Sequence, residues 1–306
     1  MVARTKSSLR PHRMPYDRDR TLDIVLYAIL GAITVSVLYP LIYVTSASFS
    51  NPVDVLNGNM KLLPIDLTLE GYRRVFRNSA ILIGYKNTIL YTVVGTIVNV
   101  AVTVATAYPL SRKDFVGRNL FTILFTFTMF FSGGLIPTYL VIRSLGLINN
   151  FWVMILPGTI SVFNVIIART FFKSAIPAEL QEAAMIDGCS NIGILVRIVI
   201  PLSKPILAVL ALFYAVAHWN AFFNALIYLN DRERFPLQLI LREILLQNQM
   251  INTMTQTGDS DTMEMELWSE SIKYSIMIVA SLPVLVIYPF FQRFFVKGLM
   301  IGAIKG

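Results

Sequence analysis

The chain has 306 residues, of which 55% are hydrophobic and 14% are charged, and its mean hydropathy is +0.63. Soluble domains carry about 25% charged residues, so this composition excludes an ordinary soluble protein and favours a protein that crosses a membrane several times. The net charge of +8 does not indicate nucleic-acid binding, because the basic residues flank apolar runs, as they do beside membrane lipids.

Six apolar segments reach the roughly 20 residues that a helix needs to cross a bilayer. They are Leu22–Val44, Thr88–Leu110, Leu120–Ile142, Phe151–Phe172, Ile206–Leu229 and Ile272–Phe295. More of the 26 Lys and Arg residues fall on the side of the N-terminus, which predicts that both termini are cytoplasmic. The N-terminus has no small-residue cleavage pattern of a signal peptide. The sequence therefore predicts an all-α, multi-pass protein of the cell (plasma or inner) membrane.

The predicted organisation has four parts. They are a basic cytoplasmic N-terminus (1–20), the first span with its outer loop (21–85), a transmembrane domain (86–295) that includes an inner loop (176–205), and a cytoplasmic tail (296–306). In the outer loop after the fifth span, the pattern from Leu237 to Leu246 predicts a short amphipathic helix. The polar stretch Gln247–Asp261 is predicted to be a connection.

The inner loop has the most informative pattern. Pro177 suits the first position of a helix, and Gly188 breaks that helix after three turns or fewer. A second helix is predicted over Ile192–Ile200, and Pro201 ends it. The two short helices would lie at the cytoplasmic face between two spans. An ordinary amphipathic loop is the alternative interpretation.

The spacing of Glu182-Ala183-Ala184, Gly188, Ile198 and Ile200-Pro201 resembles the signature (EAA) loop of the permease subunits of ATP-binding-cassette (ABC) importers. Ile200 stands where that family usually has Leu. In the family, this loop forms a coupling helix that docks on a cytoplasmic ATPase subunit. The resemblance implies an ATPase-coupling role for six residues: Glu182, Ala183, Ala184, Asp187, Gly188 and Pro201.

Three further stretches resemble the second permease of maltose-type carbohydrate importers, especially importers of complex oligosaccharides. They are Phe131–Tyr139, His218–Asn220 and Phe294–Gly306. The resemblance implies the type I ABC importer permease fold and four kinds of partner: a second, homologous permease in a heterodimer, two ATPase subunits, an extracellular solute-binding protein and an oligosaccharide. It also implies that the C-terminal tail reaches between the ATPase subunits, whereas its lysines could instead bind anionic lipid.

The fifth span has polar and aromatic residues of the kind that bind sugars. Asn220, Asn224 and Tyr228 recur every four residues, which places them on one face of a continuous helix, and Trp219 lies beside them. Polar groups at membrane depth usually face a cavity or the bundle interior. These four residues are predicted to line the substrate pathway. Hydrogen bonding between helices is the alternative role for the asparagines.

The chain lacks the phosphate-binding pattern G-x-x-x-x-G-K-[ST], and it has no arrangement that suggests catalysis or a metal site. We therefore expect no enzymatic activity and no cofactor on this chain, with ATP and Mg²⁺ bound by the partner ATPases. Two alternative functions are an ABC permease for a non-sugar solute and an ion-coupled secondary transporter. An ABC permease for an anionic non-sugar solute would need cations deep in the spans, where only Arg169 occurs, near a cytoplasmic end. An ion-coupled secondary transporter would need carboxylates there, and only Asp23 qualifies.

Overall fold

The computed structural model describes residues 20–254 and 260–303, and every regular element within these stretches is helical. The helices are α1 (Arg20–Ser48), α2 (Pro52–Leu56), α3 (Glu70–Arg77), α4 (Ser79–Ser111), α5 (Arg118–Phe130), α6 (Leu135–Ser144), α7 (Val162–Ala175), α8 (Ala178–Ile186), α9 (Asn191–Ile194), α10 (Ile200–Leu202), α11 (Lys204–Trp219), α12 (Phe223–Tyr228), α13 (Leu237–Met254) and α14 (Ser260–Ala303). Short 3₁₀ turns lie at Phe151–Met154 and Arg232–Arg234, and a π-helical turn lies at Leu195–Val199. The predicted all-α class is confirmed for this part of the chain.

Helices α1, α4 and α14 are each long and apolar enough to cross a membrane. Two bent pairs also qualify when each is counted as one span. Helices α5 and α6 are bent by 114°, and the α9–α10 segment is bent by 84° against α11. The described residues thus contain three to five candidate spans, and the total of six stays a prediction.

The fourth predicted span, a continuous helix over Phe151–Phe172, is wrong as drawn. The 3₁₀ turn ends at Met154, and α7 begins only at Val162. Pro157 and Gly158 lie in the interruption, where a proline removes a backbone donor and glycine favours a turn. Ser161 then caps α7, because its hydroxyl accepts a hydrogen bond from the Asn164 amide at 3.4 Å.

Helix α4 lies at the centre of the bundle and packs against α7, α11 and α13. It begins nine residues before the predicted Thr88, because the side chain of Asn78 caps it by accepting from the amides of Ala80 and Ile81. A β-carbon at Gly95 would lie 2.4 Å from Nε2 of His218. A larger residue would therefore displace the His218 ring, and Gly95 leaves room for that ring between α4 and α11.

Helices α13 and α14 form a hairpin, and both are longer than the sequence predicted. The amphipathic helix predicted to end at Leu246 continues to Met254, so the predicted connection is wrong for residues 247–254, and the short stretch 255–259 lies outside the described residues. Helix α14 also extends beyond the predicted last span at both ends. Helix α13 packs on α4 and α14 and is therefore part of the bundle.

One apolar cluster anchors the inner loop to this bundle. It contains Tyr108 from α4, Phe172 from α7, Ala184 from α8, Ile194 from α9 and Leu210 from α11, all of them buried. Each fully buried aliphatic or aromatic side chain of this kind contributes roughly 1.5–3 kcal/mol in water. The short helices α8 and α9, which have too few residues to be stable alone, are therefore held by the ends of the longer helices.

Candidate coupling site and pathway residues

The predicted helix–Gly–helix unit is present, with α8 and α9 on either side of Gly188. Gly188 has φ +80°, in the left-handed region. Its amide donates to the carbonyl of Met185 at 3.0 Å, and the Cys189 amide donates to the carbonyl of Ala184 at 2.9 Å. This pair of bonds is the Schellman motif, which ends a helix and turns the chain. Ser190 then caps α9 by accepting from the Gly193 amide at 3.1 Å.

The coupling residues divide between the surface and the core. Glu182, Ala183 and Asp187 are exposed, whereas Ala184 is buried against the bundle. The tip of the unit also exposes two large apolar side chains, Ile186 by 87% and Ile192 by 75%. Exposed apolar residues next to acidic ones, at a fixed turn, are typical of a surface that a partner protein covers.

Beside α8 lies an open groove of about 410 Å³. Glu182 lines one wall of it, and Lys113 and Lys173 line the others. The groove thus brings a carboxylate and two ammonium groups to one surface at the end of α4 and α7. The sequence predicted a coupling role for Glu182 and did not connect it with the two lysines.

Pro201 lies at the bend between α10 and α11. Because proline has no amide hydrogen, it cannot make the regular helical bond to Arg197, and the preceding turn, Leu195–Val199, is π-helical. Helix α10 ends one residue after Pro201, and the chain turns by 84° at Ser203. The predicted end of the second helix is therefore correct within a residue or two.

Arg112, which sequence reasoning did not single out, joins α8 to the end of α4. Its guanidinium donates to both carboxylate oxygens of Asp114, at 2.8 and 2.6 Å, and to the hydroxyl of Tyr108 at 2.9 Å. It also reaches two side chains of α8, Gln181 Oε1 at 3.4 Å and Met185 Sδ at 3.5 Å. Only 8% of Arg112 is exposed.

The same contacts stabilise the charged forms of this pair. The hydrogen bond to Asp114 raises the pKa of Arg112 above its usual value, against the opposing effect of burial. In turn, the bond from Arg112 lowers the pKa of the Asp114 carboxyl. Both groups therefore stay charged at neutral pH, and the link to α8 stays intact.

Asn220 does not share a helical face with Asn224 and Tyr228 as predicted, because the fifth span is interrupted. Helix α11 ends at Trp219, and α12 begins at Phe223. The Asn220 amide bonds back to the carbonyl of Val216, which closes the last turn of α11. Asn220 is exposed and Asn224 is half-buried. The prediction of an unbroken fifth-span helix was wrong, although the polar residues do recur every four positions in the sequence.

Trp219 and Tyr228 are buried in the bundle. The indole N–H of Trp219 donates to the carbonyl of Ala280 on α14 at 2.9 Å, and its ring meets Tyr85 edge-on, with centroids 5.7 Å apart. Tyr228 stacks on Tyr139 with a centroid separation of 6.0 Å. The structure thus gives both aromatic rings packing partners within this chain.

Polar side chains of α4 hold the segment that leads into α13. Asn87 donates to the carbonyls of Glu233 and Phe235, at 2.7 and 3.1 Å, and Thr88 accepts from the Leu237 amide at 2.8 Å. The Tyr91 hydroxyl donates to the carbonyl of Arg234 at 2.8 Å. These bonds fix the position of α13 beside the interruption in the fifth span.

Helix α13 brings a cation to that interruption. The guanidinium carbon of Arg242 lies 5.9 Å from the ring centroid of Phe222, one of the residues between α11 and α12. This distance is within the range of cation–π contacts. The sequence assigned Arg242 to an outer loop, and no local signal placed it next to the fifth span.

The family model described as "Binding-protein-dependent transport system inner membrane component" matches residues 79–301. The chain belongs to this family. Protein LplC of Bacillus subtilis (strain 168) is 42% identical over 288 residues, which cover 94% of this chain and 96% of that protein. The polygalacturonan/rhamnogalacturonan transport system permease protein YtcP of the same organism is 39% identical over 290 residues, 94% of this chain and 100% of that protein.

A chain in the crystal structure of a bacterial ABC transporter, one involved in the import of the acidic polysaccharide alginate, has the same fold. It is 34% identical, with a TM-score of 0.82, and the match covers 92% of this chain and 99% of that chain. These similarities confirm the resemblance to ABC importer permeases. The permease is a multi-pass protein of the inner membrane, and its helical fold is consistent with the type I permease fold.

Proposed function

We propose that this permease forms half of the translocation pathway of an ATP-driven importer for an oligosaccharide. The observation that carries the proposal is the α8–Gly188–α9 unit, whose exposed tip is fixed to the end of α4 by a buried alanine and by Arg112. The names of the relatives support a saccharide: one carries polygalacturonan or rhamnogalacturonan, and the structural neighbour imports alginate.

The other subunits of the importer are proposed from the family to which the chain belongs. A second, homologous permease would complete the pathway, and two ATPase subunits, which bind ATP and Mg²⁺, would dock on the inner loops. Six spans with cytoplasmic termini would place the α8–α9 unit on the ATPase side. An extracellular solute-binding protein would deliver the sugar, with the outer segment 230–271 as its docking surface. The C-terminal tail, 296–306, would reach the ATPase interface.

Movement of the ATPases would be transmitted to the membrane spans through a small number of contacts between α8 and α4. Closure of the ATPase pair would displace α8, and Arg112 would transmit the displacement to α4, since its guanidinium bonds both helices. Rigid-body movement of packed helices is a standard basis of such transitions. The cavity would then open outward to receive the sugar, and ATP hydrolysis would reset it.

The coupling role is tested in the complete importer, reconstituted in lipid vesicles with its partner subunits and binding protein. Charge reversal in Glu182→Lys, or the bulky substitution Gly188→Val, should abolish sugar-stimulated ATP hydrolysis while membrane insertion stays normal. Glu179→Lys is the matched control, because Glu179 is also exposed on α8 and does not line the groove. Its effect should be small.

Normal stimulation in both Glu182→Lys and Gly188→Val would overturn the coupling role. Transport by the permease without ATPase subunits, driven by an ion gradient, would overturn the proposed function as a whole. Co-purification in mild detergent identifies the partners independently of any transport assay.

A further inference from the structure

Arg242 differs from the other cations around it because no described residue forms an ion pair with it. Arg232 pairs with Glu243 at 2.9 Å, and Lys273 pairs with Glu270 at 3.1 Å. Within residues 20–254 and 260–303, Arg242 makes no ion pair, and its guanidinium lies over the ring of Phe222. Arg242 is half-buried, and a partly buried charge without a partner costs free energy unless a ligand or partner pairs with it.

The interruption next to Arg242 offers the other groups that a sugar site needs. Irregular backbone at membrane depth is tolerated where it is buried in protein or lines an aqueous cavity. Asn220 and Phe222 are exposed in this permease. Asn220 donates through Nδ2 to the carbonyl of Val216 at 2.9 Å, and its amide oxygen accepts no hydrogen bond from the described residues. The aromatic ring of Phe222 and the guanidinium of Arg242 therefore lie together, and the amide oxygen of Asn220 is two residues away along the chain.

The fold holds Arg242 in this place. Leu239, one turn earlier on α13, packs in the buried cluster with Ala225 and Tyr228 of α12, and residues three apart on a helix share a face. On the other side of α13, Ile240 fills the space above Gly84, where a β-carbon would lie 2.5 Å from its Cδ1. With both sides packed, α13 has little freedom to rotate Arg242 away from Phe222.

We infer that Arg242, Phe222 and Asn220 form a subsite for a carboxylate-bearing sugar unit, so that the saccharide carried is an acidic, uronate-containing one. A guanidinium forms short, charge-assisted and often bidentate hydrogen bonds with a carboxylate. The ring of Phe222 provides an apolar face for a pyranose, and Asn220 accepts from a hydroxyl. The inference rests on the proposed function and assigns its substrate class and a specificity residue. The sequence-predicted spans lack the deep cation that an anionic solute requires, and Arg242 on α13 supplies one.

The test uses the complete importer in vesicles, with uptake and stimulated ATP hydrolysis measured for three trisaccharides: trigalacturonate, a trimannuronate and neutral maltotriose. A uronate should stimulate the wild type. Arg242→Gln should raise the KM for that uronate by roughly tenfold to a hundredfold, the range expected for losing a charge-assisted bond. Arg242→Lys should raise this KM less than Arg242→Gln does, because the positive charge remains.

Matched variants separate the subsite from general effects. Arg232→Gln removes another cation of the same outer segment, so it reports what the loss of one charge from the proposed docking surface does to KM, and the change should be small because its pair with Glu243 is exposed. Phe222→Leu keeps an apolar side chain and removes the ring, and it should raise KM by about threefold to tenfold, the range of an aromatic contact. The wild-type KM should rise with salt concentration, and that of Arg242→Gln should respond less.

Several results would overturn the inference. One is an unchanged KM in Arg242→Gln, and another is stimulation by maltotriose with no response to either uronate, which would leave the proposed function standing. An effect of Arg242→Gln in phosphatidylglycerol vesicles that disappears in phosphatidylcholine vesicles would assign Arg242 to an anionic lipid headgroup. The proposed function itself fails if no saccharide is taken up with ATP and no ATPase co-purifies, or if the permease transports without ATPase subunits.

Discussion

Gly188 allows a quantitative test of how the inner loop is built. Its φ of +80° is a conformation in which a β-carbon costs about 1–2 kcal/mol. No atom outside its immediate chain neighbours lies within 4 Å of the position that such a β-carbon would occupy. The cost of Gly188→Ala should therefore come from the backbone alone. We expect the turn to open about 5 to 30 times more often in the variant.

Amide hydrogen exchange on the purified permease measures this opening directly. The Cys189 amide, bonded to the carbonyl of Ala184, should exchange about 5 to 30 times faster in Gly188→Ala, following the same free-energy difference. Gly188→Asn should show a smaller increase, because asparagine tolerates the left-handed region better than alanine. The Gly193 amide, bonded to Ser190 Oγ in the next cap, provides an internal reference that should not change.

The reasoning is refuted if Gly188→Ala leaves the Cys189 amide as protected as in the wild type. It is also refuted if alanine and asparagine accelerate exchange equally, because the backbone cost would then not be the cause. A uniform acceleration through α8, α9 and the apolar cluster would show that the substitution destabilises the whole end of the bundle.

Three further predictions follow from single contacts. Arg112→Lys keeps one cation and cannot bond Asp114, Tyr108 and α8 together, so sugar-stimulated ATP hydrolysis should fall while the KM for sugar stays constant. Gly95→Ala should lower the thermal midpoint of the detergent-solubilised permease, since overpacking against His218 costs about 1–3 kcal/mol. Trp219→Phe loses one buried hydrogen bond, worth about 1 kcal/mol, and should leave the KM for sugar unchanged if the indole is structural.

The inner loop could be predicted from sequence because its determinants are local. Gly188 and the cap at Ser190 set the turns over a few residues, and Pro201 sets the π turn and the bend. Such signals are read from residue type and spacing alone. The link through Arg112 could not be predicted in the same way, because its partners on α8 are separated from it by about 70 residues of chain.

The fifth span shows the opposite case. The segment from His218 to Phe223 contains neither proline nor glycine, and its apolar residues continue across the interruption, so periodicity predicted one helix. The break is set by tertiary contacts: Trp219 is held by α14, and Tyr228 is held by Tyr139 and by the cluster around α13. Side-chain roles that depend on this break, such as those of Asn220 and Asn224, could not follow from a helical projection.

Helix α4 connects the proposed coupling site with the proposed sugar subsite. At one end, Arg112 follows its last turn and contacts α8, and near the other end, Asn87 and Thr88 bond the segment that positions α13 and Arg242. A helix of 33 residues is about 50 Å long and transmits displacement along its axis with little bending when it is packed on several sides. Movement of α8 would therefore reach the proposed sugar subsite through one rigid element. On this proposal, an ATPase that displaces α8 would affect sugar binding through α4.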